Sequence, residues 1–243
     1  MKRTSHPPRL RRGLLGAVVL VALGLLPPAA STQQRQQHGK LFPPEDLPQL
    51  EGPDRDVWQR PDQIMDALNI AEGSVVAELG AGSGWFTIRL ARRVGPNGRV
   101  YAEDIQPQMI EVIKRRVPRE NLSYNNVETR LGTAVDPKLP IGKLDAVLIS
   151  DAYHEMEHPV ALLRNAALAL KPDGRLGIVE FNMAGGGPGP DMDERVDPER
   201  VIREANEAGL RLIARPELLR YQYILVFAKQ LAPASRGREP RKQ

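Results

Sequence analysis

Residues 75–84 read VVAELGAGSG, and this stretch decides the fold. The apolar run Val75–Leu79 is typical of a buried parallel strand, and Glu78 is its one acid. Glycine-rich residues 80–84 follow, and an apolar helical pattern begins at Trp85. Because glycine lacks a Cβ and tolerates positive φ, the backbone here can turn sharply and approach a ligand. A strand, a glycine loop and a helix in this order place a nucleotide at the carboxyl end of a parallel sheet.

The spacing of the glycines indicates which kind of nucleotide the loop binds. A dinucleotide-binding loop has the pattern G-x-G-x-x-G. Here the third glycine comes one residue early, and Trp85 stands where a pyrophosphate would approach. Glu78 repels phosphate but can accept hydrogen bonds from an ammonium group or from hydroxyls. The sequence therefore predicts a nucleoside ligand with a cationic tail and no phosphate, and S-adenosylmethionine fits this description.

Together with this loop, VYAEDIQPQMIEVIKRR at residues 100–116 resembles class I S-adenosylmethionine-dependent methyltransferases. Three further stretches, 127–140, 143–159 and 171–180, resemble the third, fourth and fifth strand regions of that family. The resemblance covers about residues 55–229. It implies a Rossmann-like, doubly wound α/β sheet of seven mostly parallel strands with an antiparallel last strand. Helices cover both faces, and the cofactor is S-adenosylmethionine.

The resemblance also implies which residues contact the cofactor. Asp104 is expected to hold the ribose hydroxyls, and Ile105 and Met109 to enclose the adenine. The family's acid after the third strand is replaced by Thr133, so backbone groups of Thr133 and Ala134 are expected to meet the adenine. Asp151 is expected to orient the methionine end. The complete expected set is Glu78, Gly80, Ala81, Gly82, Gly84, Asp104, Ile105, Met109, Thr133, Ala134 and Asp151.

The loop after the fourth strand, YHEMEH at residues 153–158, is expected to carry the chemistry. Methyl transfer requires alignment of donor and acceptor and, for a protonated acceptor, removal of a proton. We predict that His154 is the base, because an imidazole can take a proton near neutral pH. We expect Trp58, Tyr153 and Glu180 to line the acceptor pocket. The alternatives are that His154 is a loop histidine bound to the backbone and that Trp58 belongs to the core.

The same loop contains a second motif. His154-Glu155-x-x-His158 matches the H-E-x-x-H motif of zinc proteases, with Glu180 as a possible third ligand. The motif requires both histidines on one face of a helix, whereas His154 directly follows a strand and Pro159 disfavours helical geometry at His158. No metal site is therefore predicted, and a zinc-dependent hydrolase is kept as the least favoured alternative.

Alternating strands and helices predict a parallel sheet covered on both faces. Strands are expected at residues 74–79, 100–104, 127–131, 144–150, 174–181, 210–215 and 222–229. Helices are expected at residues 61–70, 84–94, 107–117, 159–171 and from 198 to Gly209.

Both ends of the chain differ from this domain. Residues 1–30 have a basic start and a short apolar run, the pattern of a signal peptide or of an N-terminal anchor. Residues 31–53 are rich in Gln and Pro and are predicted to be an exposed linker. The methyltransferase-like domain is predicted over 54–230, and a basic disordered tail over 231–243. Export to the periplasm or membrane anchoring follows from the leader, although S-adenosylmethionine is supplied in the cytoplasm.

Charge and composition exclude some functions. The chain carries a net charge of +4, but five basic residues lie in the leader without an acid, and the tail adds four against one acid. Subtracting both leaves about −4 on the domain, which does not suit nucleic-acid binding. The absence of cysteine excludes disulfides and thiolate metal sites.

The sequence thus predicts S-adenosylmethionine-dependent methyl transfer to a small or medium-sized acceptor. An exported, non-catalytic ligand-binding domain on the same fold remains an alternative. A membrane is expected as a partner only through an uncleaved N-terminal segment.

Overall fold

The computed structural model describes residues 40–120, 122 and 125–230. The predictions for the leader, for residues 31–39 of the linker and for the tail lie outside the described residues. Within the described part of the chain, no helix is both long enough and apolar enough to cross a membrane.

Seven strands form one sheet in the order β3-β2-β1-β4-β5-β7-β6. Strands β1 to β5 pair in parallel, and β7 is antiparallel to both β5 and β6. This confirms the predicted fold class. The strands are β1 (Val75–Leu79), β2 (Arg99–Asp104), β3 (Val127–Leu131), β4 (Leu144–Ser150), β5 (Leu170–Phe181), β6 (Leu210–Ala214) and β7 (Gln222–Lys229).

Six α-helices accompany the sheet in the described residues: α1 (Arg55–Gln59), α2 (Pro61–Ala67), α3 (Trp85–Val94), α4 (Pro107–Arg116), α5 (Pro159–Ala169) and α6 (Pro198–Glu207). Four of them begin with proline, whose fixed φ suits the first helical position. Helix α2 ends three residues earlier than predicted, and Asn69 takes the left-handed conformation with φ of 57°.

Two apolar layers enclose the sheet. Ala77 and Leu79 point into the layer that includes α5 and α6, whereas Val76 points into the layer that includes α2 and α3. Because successive side chains of a strand alternate between faces, Glu78 shares the face of Val76 and points toward α3. The strand pattern thus places this acid beside the helix that follows the glycine loop.

The strand order places the functional edge. Strand β1 has β2 on one side and β4 on the other, so the chain reverses direction across the sheet at β1. Ligands of open parallel sheets bind in the crevice at the carboxyl ends of the strands beside such a reversal. The loops after β1, β2 and β4 therefore border one crevice.

Residues 40–53, the described end of the predicted linker, include many exposed residues but differ from a fully exposed linker at Leu47. Residues 40–51, named here the strap, contain a 3-10 helix over Pro44–Leu50. Leu47 within it is only 9% exposed. The apolar side chains between the prolines explain this difference, because they can pack on the domain.

Candidate cofactor and acceptor site

The glycine loop after β1 uses the conformational freedom of all three glycines. Gly80, Gly82 and Gly84 have φ of 70°, 51° and 78°, which disfavours other residues. A Cβ on Gly80 would also lie 2.5 Å from the Cβ of Ala152, in the loop after β4. The backbone N–H of Ala81 donates to the Glu103 carbonyl at 2.9 Å, which ties the loop to the end of β2.

Asp104 lies at the end of β2, directly against the glycine loop. Its Oδ2 accepts the N–H of Gly82 and its Oδ1 the N–H of Gln106, both at 2.9 Å. The side chain is 6% exposed, and burial raises the pKa of Asp104 against these hydrogen bonds. Each carboxylate oxygen has a second lone pair, so Asp104 can still accept from the ribose hydroxyls that the sequence assigned to it.

Glu78 is buried beneath the glycine loop. Thr87 lies in the first turn of α3, and its hydroxyl donates a short hydrogen bond to Oε2 of Glu78. Burial raises the pKa of Glu78 to about 8, although this hydrogen bond and the charge of Arg55 oppose the shift. At neutral pH Glu78 is therefore mostly protonated, and a nearby cation would favour its ionised form.

Glu103 is a buried acid that the sequence analysis missed. It is 2% exposed, and its Oε1 has no hydrogen-bond partner among the described residues. The Cα of Gly132 lies against this oxygen, since a Cβ there would come within 1.8 Å of it. Burial and the charge of Asp104 raise the pKa of Glu103 well above its usual value. The sequence shows Glu103 only as a residue of an ordinary strand. Its burial becomes visible through the contact with Gly132, directly after β3.

Asp151 follows β4 with the left-handed φ of 55°. Its Oδ2 accepts from Arg55 Nη2 at 2.9 Å and from Gln59 Nε2 at 2.7 Å, and Gln222 donates to Oδ1. The guanidinium of Arg55 also lies 4.2 Å from the ring centre of Trp85. The sequence analysis missed these three donors, because they come from α1 and β7, far from Asp151 in the chain.

His154 and Glu180 form a close pair beside this network. The Nδ1 of His154 lies 3.0 and 3.1 Å from the two carboxylate oxygens of Glu180, which is fully buried. Burial alone would lower the pKa of His154, but the charge and hydrogen bond of Glu180, then Glu155 and Asp151, raise it to about 9. The imidazole is therefore mostly protonated at neutral pH. It must lose this proton before it can act as a base.

Two of the residues predicted to line the acceptor pocket have other positions. Tyr153 is fully buried in the core, where its hydroxyl donates to Glu204 of α6 at 2.6 Å. It therefore cannot line the pocket, and this expectation is corrected. Glu180 lies beneath His154 and orients its ring rather than facing an acceptor. Trp58 is half-buried with its ring centre 5.9 Å from that of Phe181, the residue after Glu180.

One of the backbone groups predicted to contact the adenine already has a hydrogen-bond partner within the protein. The N–H of Thr133 donates to the Asp136 carbonyl at 2.9 Å, so it cannot also bind the adenine. Ala134 is half-buried in the same turn. Beyond β2, Ile105 is half-buried and Met109 is 1% exposed. The adenine assignments of these residues remain predictions.

The H-E-x-x-H motif does not lie on one helix. His154 lies in a 3-10 turn over Tyr153–Glu155, and His158 precedes α5 with φ of −127° and ψ of 60°. The side chain of His158 is 54% exposed. Over the described residues, no group of three or more His, Asp or Glu side chains is arranged to hold a metal ion. The geometry gives the hydrolase alternative no support.

The carboxyl ends of the strands thus gather several buried acids. The pKa is raised, chiefly by burial, for Glu78, Glu103, Asp104, Asp151 and Glu155. A buried carboxyl ionises more readily when a cation binds beside it. A ligand with a sulfonium and an ammonium group fits this set of acceptors, and a phosphate does not.

Comparison with known proteins agrees with this fold. A family described as "Methyltransferase domain" matches residues 76–174. The crystal structure of a SAM-dependent methyltransferase from Aquifex aeolicus superposes with a TM-score of 0.73 and 25% identity, and covers 79% of this chain and 100% of that one. The fold, the glycine loop and the family match together indicate an S-adenosylmethionine-dependent methyltransferase. Residues 76–174 therefore form a class I S-adenosylmethionine-dependent methyltransferase domain, whose cofactor is S-adenosylmethionine.

Two curated relatives match a shorter region. A methyltransferase-like protein of Schizosaccharomyces pombe is 33% identical over 118 residues, which is 49% of this chain and 42% of that protein. The ubiquinone/menaquinone biosynthesis C-methyltransferase UbiE of Pasteurella multocida is 32% identical over 127 residues, or 52% of this chain and 46% of that protein. The chain thus spans less than half the length of these relatives.

The residues present fit the cofactor. The glycine loop brings backbone close to a ligand, Asp104 offers lone pairs beside it, and the Oε1 of Glu103 is a buried acceptor without a partner. Glu78, Asp104 and the loop of Gly80, Gly82 and Gly84 are the residues that would hold S-adenosylmethionine.

Proposed function

We propose that this protein transfers a methyl group from S-adenosylmethionine to a small or medium-sized acceptor that loses a proton. The observation that carries the proposal is the placement of two sites on one edge of the sheet. The glycine loop and Asp104 lie at the ends of β1 and β2, and the His154–Glu180 pair lies at the ends of β4 and β5. The chain therefore brings a cofactor site and a titratable pair to the same crevice.

The chemistry divides between the cofactor and the chain. When bound, S-adenosylmethionine supplies an activated methyl carbon on its sulfonium sulfur. Asp104 and the glycine loop orient that group, and His154 accepts the acceptor's proton after losing its own. Glu180 fixes the imidazole ring through Nδ1, so Nε2 is the nitrogen directed away from that carboxylate. The acidic surroundings stabilise the imidazolium once it forms.

The acceptor class is a finer part of the proposal. One relative is named for C-methylation in quinone biosynthesis. A hydroxylated aromatic ring has a proton that a histidine with a pKa of about 9 can remove. The half-buried Trp58, packed on Phe181, offers an aromatic surface near the carboxyl end of β5. Hydroxylated aromatic compounds are therefore the first acceptors to test.

Calorimetry of the full chain with S-adenosylmethionine and S-adenosylhomocysteine tests the cofactor site. Transfer of a labelled methyl group to a panel of phenols and hydroquinones tests the reaction. Binding with transfer supports the proposal. Binding without transfer to any acceptor would favour the non-catalytic alternative, and failure to bind either compound would refute the site.

A further inference from the structure

The strap, residues 40–51, makes hydrogen bonds to two loops at the functional edge. The N–H of Phe42 donates to Glu155 Oε2 at 2.8 Å, in the segment after β4. The carbonyl of the same residue accepts from Gln106 Nε2 at 3.1 Å, in the loop after β2. One residue of the strap thus joins the ends of two strands that flank β1.

The other end of the strap reaches the glycine loop through α4. Glu51 pairs with Arg116 of α4. The same guanidinium donates to the carbonyl and the hydroxyl of Ser83, at 3.3 and 3.4 Å. The strap is therefore connected to the loops after β1, β2 and β4, which border the crevice where the cofactor site lies.

The strap is stiff, and it is held by the contacts above and by Leu47, which is 9% exposed. Pro43, Pro44 and Pro48 restrict its backbone, so little freedom is lost when it closes. Apart from the contacts above, Lys40 lies 3.8 Å from Glu194, and both side chains are exposed, so this pair adds little. A rigid segment fixed by a few separate contacts can leave as a unit without unfolding the domain.

We propose that the strap is a latch that closes the cofactor site and must open for the cofactor to enter and leave. The inference rests on the proposed function, because it assigns a regulatory role at the same site. Glu155 and Gln106 hold the latch near its start, at Phe42, and the Glu51–Arg116 pair holds its other end beside the glycine loop. The alternative is that the strap is a fixed wall of the cofactor site that does not open during exchange. If the strap is a latch, weakening its contacts accelerates both association and dissociation of the cofactor. If it is a fixed wall, weakening its contacts accelerates dissociation alone.

Stopped-flow binding of S-adenosylhomocysteine to the full chain distinguishes the two, with the combined fluorescence of Trp58 and Trp85 as signal. Glu51→Gln removes the charge at one end, and Gln106→Leu removes the hydrogen bond to Phe42 near the other end. We expect both rates to rise about fivefold in each variant and to multiply in the double variant, since about 1 kcal/mol corresponds to this factor. Glu45→Gln, an exposed acid of the same strap, is the matched control and leaves both rates unchanged.

A rise in dissociation alone would overturn the latch in favour of a wall, and unchanged rates in the double variant would overturn any role in exchange. Hydrogen exchange at the Phe42 amide provides a readout without cofactor. Gln106→Leu is expected to accelerate it and Glu45→Gln to leave it unchanged. If the wild-type chain binds neither cofactor form, the proposed function fails, which the exchange measurement distinguishes from failure of the latch itself. Thermal unfolding confirms that each variant folds.

Discussion

Replacing Glu180 by Gln tests the electrostatics of the proposed base. The amide keeps an oxygen that can accept the Tyr153 N–H, which Glu180 Oε1 now accepts at 2.7 Å, but removes the charge beside His154. That charge is the largest cause that raises the pKa of His154 from 6.5 to about 9. Without it, burial lowers the pKa again. We expect the pKa of His154 to fall by about 2 in Glu180→Gln, which corresponds to about 3 kcal/mol.

Nuclear magnetic resonance titration of the histidine ring protons measures this directly, and His154→Ala assigns the signal among the four histidines. Glu157→Gln is the matched control, because it removes an acid of the same loop that lies beside His158 instead. A pKa of His154 that is the same in Glu180→Gln and in the wild type would refute the reasoning. So would a wild-type value near 6.5.

The same shift has consequences for stability and rate. A group whose pKa is raised by folding stabilises the protein below its unfolded pKa, and this contribution is lost as pH rises through the folded value. The contribution of His154 is therefore present below about pH 6.5 and lost by about pH 9. Denaturant unfolding should show this loss in the wild type and less of it in Glu180→Gln. If His154 is the base, kcat/KM rises toward pH 9 in the wild type and reaches its plateau at lower pH in the variant.

Four further predictions concern the site and the core. Gly82→Arg should abolish binding of S-adenosylhomocysteine in calorimetry by filling the loop, whereas Gly142→Arg, at a glycine of similar positive φ in open space, should not. His154→Ala should slow methyl transfer and leave the cofactor Kd unchanged, and equal loss of both would mean that the residue is structural. Tyr153→Phe leaves Glu204 without its hydroxyl partner and should lower the free energy of unfolding by about 1–3 kcal/mol in urea. Binding of S-adenosylmethionine near pH 7.5 should release more protons than binding of S-adenosylhomocysteine, because the sulfonium favours ionised Glu78; equal release, compared in buffers of different ionisation enthalpy, would contradict this.

Local patterns predicted most of the fold. The glycine loop, the strand β3 over Val127–Leu131 and the strand β4 over Leu144–Ser150 agree with the expected bounds. Each is specified by neighbouring residues, through apolar runs, glycines and prolines at helix starts. The parallel pairing of β1 to β5 follows from the same alternation, because parallel strands need crossover connections, which are usually helical.

Contacts between distant residues could not be predicted in this way. Phe42 and Glu155 are 113 residues apart, so nothing in the sequence of the strap indicates its partner. Tyr153 illustrates the opposite error. Because Tyr153 is next to His154 in the sequence, it was expected to line the acceptor pocket. Its side chain instead enters the core. Which way a loop side chain points depends on what the neighbouring helix offers, here Glu204 of α6.

Asp151 shows how a correct position can carry a different role. An acid after β4 was expected to receive the methionine end of the cofactor, yet its oxygens accept from Arg55, Gln59 and Gln222. These donors come from α1 and β7, so the carboxylate attaches the first helix of the domain to the sheet. Trp58 lies in that helix, between Arg55 and Gln59. Asp151 therefore helps to position Trp58, the residue that the sequence analysis expected in the acceptor pocket.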